Sequence, residues 1–118
     1  VQRQPVQSMK LCLPSLKGFQ VVDINIILYA EAAGNYTNFY FTNQSLVCTS
    51  KPIHEYEELL EDSGFVRIHK SSLVNLVHIK EYLKGEGGSV ILSNGTELEV
   101  ARRKKDIFLF KMKNFYKY

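Results

Sequence analysis

The sequence predicts a mainly β fold of small antiparallel sheets, with one helix in the middle and one at the C-terminal end. Three observations carry this reading. Short runs of β-branched and aromatic residues recur between turns rich in Gly, Asn and Ser. Only two segments set apolar residues at helical spacing. Strands and helices do not alternate as a doubly wound parallel sheet requires.

Residues 1–9 are polar, unpatterned and contain Pro5, so they read as a linker ahead of a domain spanning 10–118. LCLPS (Leu11–Ser15) and GFQVVD (Gly18–Asp23) read as two strands separated at Pro14, which has no N–H for a ladder and suits an edge or a break. ILYAEAA (Ile27–Ala33) follows, then the turn pair Gly34–Asn35, then YTNFYF (Tyr36–Phe41). In that last run Tyr36, Asn38 and Tyr40 face one way, and Thr37, Phe39 and Phe41 the other. Thr42–Asn43–Gln44 turns the chain into SLVCTS (Ser45–Ser50), completing a hairpin.

The first helix follows. Ser50 suits an N-cap, Pro52 the first turn, and Glu55 the positive end of the dipole. Ile53, Tyr56, Leu59 and Leu60 recur at helical spacing, Glu57, Glu58, Glu61 and Asp62 form a wet face, and Gly64 stops the helix. FVRIH (Phe65–His69) is a strand, KSSLVNL (Lys70–Leu76) is short and turn-like, and IKEYLK (Ile79–Lys84) is a strand. GEGGS connects to SVILS, and Asn94–Gly95, the strongest hairpin signal in the chain, leads to TELEV (Thr96–Val100). From Arg102 the pattern is helical: Phe108, Met112, Phe115 and Tyr116 share a stripe, with Lys111, Lys113 and Lys117 on the solvated side.

With 118 residues, 45% apolar and 12% aromatic, the chain supports one packed domain and is neither disordered nor collagen-like. No run approaches the roughly 20 apolar residues of a membrane span, and the N-terminus has no apolar signal core. Cys12 and Cys48 are too few and too distant for a disulfide scaffold or zinc ribbon, so a reducing cytoplasm is the expected location. The net charge of +3 conceals an asymmetry: residues 1–50 carry +1, residues 51–100 carry −4 and residues 101–118 carry +6. A basic end of this kind points to a polyanionic partner.

The search for catalytic chemistry is negative, and neither enzyme, metal nor cofactor is expected. His54, His69 and His78 lack metal-ligand spacing, and GEGGS lacks the Lys and Ser/Thr of a phosphate-binding loop. Ser71–Ser72 lies beside Lys70 with no general base. What stands out instead is three polar clusters in short connections: GNYTN (Gly34–Asn38), RIHKSS (Arg67–Ser72) and ARRKK (Ala101–Lys105). Four cations at a helix start oppose the macrodipole by about a few tenths of a kcal/mol each, a local conflict that marks function. The same place favours a phosphate, through both the cations and the helix N–H groups.

The ordered segments ILYAEAAGNYTNFYF, EYEELL, FVRIHKSSLVNLVHI and VILSNGTELEVARRKK resemble the LytTR family of DNA-binding domains over about residues 10–112. The motifs that carry the resemblance are E-A-x-G-N-Y-T, R-I-H-x-S-x-x-V-N, the N-G turn and V-x-R-R. It implies an elongated arrangement of small β-sheets with short helices. It further implies the C-terminal output domain of a bacterial two-component response regulator, working in a phosphorelay behind a receiver domain that these residues do not include. Such domains bind double-stranded promoter DNA at direct repeats through loops in the major groove, and protomers pair on the DNA. By position, the resemblance assigns DNA contacts to Asn35, Tyr36, Thr37 and Asn38, to His69, Lys70 and Ser71, and to Arg102, Arg103 and Lys105. Lys70 and Arg102 suit the guanine N7 and O6 acceptors, while Arg103, Lys104 and Lys105 suit phosphates. Val74, Leu76, Ile79 and Leu92 fall on core positions.

Two other readings of the residues stay open. One is an RNA or single-strand binder stacking bases on Tyr36, Phe39 and Tyr40. The other is a protein-interaction module presenting Glu57, Glu58 and Glu61. On the DNA reading, the acidic helix is expected to face away from the phosphates.

Overall fold

The structure is a computed structural model that describes residues 10–117; residues 1–9, read as a linker, lie outside it. Among the described residues, ten strands form three antiparallel sheets. β1 (Lys10–Ser15) and β2 (Gly18–Asp23) make a hairpin. β3 (Ile27–Ala33), β4 (Tyr36–Phe41), β5 (Leu46–Thr49), β6 (Phe65–His69) and β7 (Ser72–Asn75) make a five-stranded sheet in the order β5-β4-β3-β7-β6. β8 (Ile79–Leu83), β9 (Ser89–Leu92) and β10 (Glu97–Glu99) make the third. Helix α1 (Ile53–Leu59) precedes β6, and α2 (Lys105–Phe115) closes the chain. The extents of 42 × 42 × 24 Å describe a slab, long in two directions and thin in the third. No helix among the described residues is long and apolar enough to cross a membrane.

The five-stranded sheet is the middle layer, because its strands bury both faces. On one face Ala30, Phe39, Phe41, Phe65 and Leu73 pack with Leu11 and Leu13 of β1 and with Ile53 and Tyr56 of α1. On the other, Tyr29, Val66, Ile68 and Val74 pack with Val90, Leu92, Val100 and Phe108. The hairpin and α1 therefore cover one side, the three-stranded sheet and α2 the other.

Four local readings are corrected. Pro14 does not separate two strands: it lies within β1, opposite Phe19, and the turn falls at Leu16–Lys17. A two-stranded sheet has only edge strands, so the missing N–H costs no ladder bond that a central strand would need. KSSLVNL is not turn-like, since Ser72–Asn75 is the fully buried strand between β3 and β6. Ser50 does not cap α1: Pro52 holds the N-cap position without a side-chain bond, and the Ser50 N–H donates to the Pro14 carbonyl at 3.1 Å. On α2, Phe108 is buried with Leu109 and Met112 packed beside it, whereas Phe115 is 44% exposed and Tyr116 lies past the helix end.

Asn75 locks β7 to the start of β3. Buried, it donates from Nδ2 to the Ile27 carbonyl at 2.8 Å and the Ile24 carbonyl at 3.4 Å, and accepts the Val77 N–H at 3.4 Å. Asn75→Ala strips these buried groups of their partner. It is expected to cost about 2–3 kcal/mol, read as a lower urea midpoint at unchanged m-value. A loss below about 0.5 kcal/mol would contradict the bonding described.

Candidate nucleic-acid interface

Two backbone hydrogen bonds bring the three polar clusters together. β3 runs antiparallel to both β4 and β7, so the β3–β4 and β6–β7 turns lie at the same end of the central sheet. There the Ala32 N–H donates to the Ser71 carbonyl at 2.9 Å. Where the chain leaves β10, the Ala101 N–H donates to the Ile68 carbonyl at 2.8 Å. Arg102 thus begins one residue beyond a bond to the strand that delivers His69 and Lys70.

The β3–β4 connection is a two-residue turn. Gly34 takes its first position at φ +65°, a conformation that a residue with a Cβ resists, and this sets the Ala33–Tyr36 register. Asn35 and Tyr36 are exposed, and Asn38 is half-buried on the same face as Tyr36. Thr37, which the resemblance also assigns to DNA, is fully buried, and its hydroxyl donates to the Lys51 carbonyl at 2.8 Å, which fixes this end of the sheet.

In the β6–β7 turn Lys70 is exposed, with His69 and Ser71 half-buried beside it. The Ser71 N–H donates to His69 Nδ1 at 3.2 Å, and the Ser71 hydroxyl lies 3.0 Å from the same nitrogen. An accepting Nδ1 leaves the proton of a neutral ring on Nε2. His69 and Ser71 therefore shape the turn, and Lys70 is the side chain it presents. Arg67, outside the predicted contacts, donates from Nε to the His69 carbonyl at 2.9 Å, from Nη2 to the Lys70 carbonyl, and from Nη1 to Glu57 at 2.7 Å. No residue pattern reveals this, because two of the acceptors are backbone carbonyls.

The third cluster begins with a 3₁₀ turn, Arg102–Lys104, ahead of α2. The Lys104 and Lys105 N–H groups are spent on the Ala101 and Arg102 carbonyls, so they are not free for a phosphate. Arg102 and Arg103 are exposed and Lys105 is half-buried. Arg102 pairs with Glu86 at 3.2 Å, both largely in water. Lys104 instead lines a cleft of about 290 Å³ between α1 and α2, with Glu57, Glu58 and Glu61 opposite. The acidic run of α1 and the 3₁₀ turn after it (Glu61–Ser63) is therefore not simply solvated: Glu57 holds Arg67, and Glu61 lies 3.9 Å from Lys111. Lys111 in turn is not purely a solvated lysine. Lys51 is a cation at this end that the motifs did not single out; its carbonyl is the acceptor of the Thr37 hydroxyl.

The stacking platform required for single strands is mostly occupied. Phe39 is buried, and Tyr40 stacks on Tyr29 at 4.6 Å while donating to Glu31 at 3.0 Å. Burial first, then the Glu31 carboxylate, pushes the Tyr40 phenol up to about 12. A phenol whose pKa is raised by folding is stabilising in full below the unfolded value near 10, and that contribution is lost as pH rises from 10 toward 12. Tyr40→Phe is expected to make the decline of stability across that window shallower, as followed by urea unfolding at stepped pH. An unchanged slope would show that Tyr40 does not titrate with unfolding.

The family model of the LytTr DNA-binding domain matches residues 17–113. Over 68 residues, 56% of this chain, the sequence is 37% identical to the transcriptional regulatory protein LytR of Staphylococcus aureus strain N315, and the match covers 27% of that protein. The sensory transduction protein LytT of Bacillus subtilis is 30% identical over 95 residues, 79% of this chain and 39% of LytT. The chain thus spans well under half the length of these curated relatives. Among solved structures, a LytTr DNA-binding domain from Bacillus cereus has the same fold, with TM-score 0.76 at 23% identity, covering 88% of this chain and 96% of that one.

Proposed function

The chain belongs to the LytTr DNA-binding domain family, and from that premise we propose that residues 10–118 bind double-stranded DNA sequence-specifically through the end of the central sheet. The observation that carries this is the pair of backbone bonds, Ala32 to Ser71 and Ala101 to Ile68, which gathers three polar clusters from distant parts of the chain. Lys70 and Arg102 reach guanine edges in the major groove, where Arg is able to bond N7 and O6 together. Asn35, Tyr36 and Asn38 contact the duplex from the β3–β4 turn, and His69 and Ser71 support Lys70. Arg103 and Lys105 hold phosphates and set the register.

The domain acts as the output half of a bacterial two-component response regulator in the cytoplasm, joined through residues 1–9 to a receiver domain. Protomers occupy direct repeats in promoters. No catalytic step, metal or cofactor enters this mechanism.

Duplexes selected from a random pool by the intact chain test the reading. A direct repeat is expected to emerge, and single strands are expected to compete poorly. The two phosphate contacts of Arg103 and Lys105 contribute roughly −1.8 to the log–log salt slope, and Lys105→Ala is expected to make it about one unit shallower while weakening all duplexes alike. Preferential binding of the unpaired strand would overturn the proposal.

A further inference from the structure

We infer that Arg67 is a positioning residue that holds the base-reading turn in shape, and that Glu57 of α1 orients it. The inference rests on the proposed DNA reading of Lys70 and adds the device that makes that reading specific. The turn between β6 and β7 has only two residues, Lys70 and Ser71. Two-residue hairpins ordinarily use turns with positive φ, which match the twist of the strands. Neither Lys70 nor Ser71 has a positive φ, and the register slips between Arg67 and His69. This connection therefore depends on other bonds for its shape.

The Arg67 guanidinium supplies them. It bonds the carbonyls of His69, the last residue before the turn, and of Lys70, the first residue in it, and its remaining arm meets Glu57 at 2.7 Å. The side chain is 16% exposed, so it is committed inward and poorly placed to meet a phosphate. A rigid planar fork with donors in fixed directions satisfies three acceptors at once; a lysine ammonium in its place does not reproduce that geometry. Small errors in the direction of Lys70 are costly for base contacts and nearly free for phosphate attraction, which is long-ranged and tolerant of position. Arg67 thus bears on discrimination between sequences and leaves general affinity for DNA alone.

The test compares the intact chain with Arg67→Lys, Lys70→Ala and the double variant, each binding a duplex selected by the intact chain and a scrambled duplex of equal length. Arg67→Lys is expected to lower the selected-to-scrambled affinity ratio by about tenfold, with the salt slope unchanged. In the Lys70→Ala background the same substitution is expected to have little further effect on the ratio. An unchanged ratio in folded Arg67→Lys overturns the inference and leaves the DNA reading standing. So does an equal fall in both backgrounds, because it means that Arg67 acts apart from Lys70. If Lys70→Ala itself leaves the ratio untouched, the reading of the turn fails and takes the inference with it. Glu57→Gln covers the case in which Arg67→Lys does not fold: a smaller drop of about two- to threefold supports the orienting contact, and no drop overturns it.

Discussion

Arg102→Ala is expected to weaken binding to a selected duplex by about 1–3 kcal/mol, roughly 5- to 150-fold, with a much smaller loss on scrambled DNA. The side chain is 75% exposed, and its ion pair with Glu86, itself 83% exposed, is of the solvated kind that contributes little to folding. Its removal should leave stability within about 0.5 kcal/mol, so a binding loss is not a folding loss. Arg102→Lys should recover affinity for scrambled DNA but only part of the discrimination, since an ammonium does not make the paired contact to N7 and O6. Equal losses on both duplexes, measured by fluorescence anisotropy at one salt concentration, would assign Arg102 to phosphate alone.

Gly87→Ala is expected to be the most damaging single methyl group in the connection that supports Arg102. A Cβ on Gly87 would stand 1.8 Å from the Val100 carbonyl oxygen and 2.9 Å from the Arg102 nitrogen, so backbone must move against backbone. The loop has little room to yield, because the Gly87 carbonyl accepts the Tyr82 hydroxyl at 2.8 Å and the Val100 N–H donates to the Gly88 carbonyl at 2.9 Å. The expected cost is about 3 kcal/mol in thermal or urea unfolding. Arg102 should also lose discrimination in the fraction that remains folded. A stability change below about 1 kcal/mol would contradict the close packing of this loop.

The glycine-rich loop shows what the sequence makes legible and what it hides. GEGGS reads correctly as a strand connection, because β patterns flank it. That Gly87 abuts Val100–Arg102 depends on a tertiary contact with no local signal. The turns at Gly34–Asn35 and Asn94–Gly95 were legible for the opposite reason: two residues with special backbone freedom encode them locally. β7 was hidden by its success as a central strand. Buried on both faces, Leu73 and Val74 give a short apolar run without the polar alternation that marks a half-buried strand.

At the candidate interface, Thr37 set two signals against each other. Motif position assigned it to DNA, while alternation along Tyr36–Phe41 turned it inward with Phe39 and Phe41. The buried hydroxyl follows the alternation. Lys70, Arg102 and Arg103 were legible as cations in short connections, whereas Arg67 looked equally basic and proved to be bonded inward to backbone. The acidic block that begins on α1 was legible as a helix face, but the pairing of Glu57 with Arg67, and of Glu61 in the turn beyond α1 with Lys111, arises only from how α1 and α2 flank β6.

On the proposed function, three separated clusters form one DNA-contacting surface at one end of the central sheet. Titrating the isotopically labelled chain with a selected duplex, while following backbone amide shifts, tests it most directly. The largest changes are expected to fall together on Asn35 and Tyr36, on Lys70 and Ser71, and on Arg102 and Arg103, with the β1–β2 hairpin little altered. Changes centred on that hairpin or on the α1–α2 cleft, with those six residues unmoved, would contradict it.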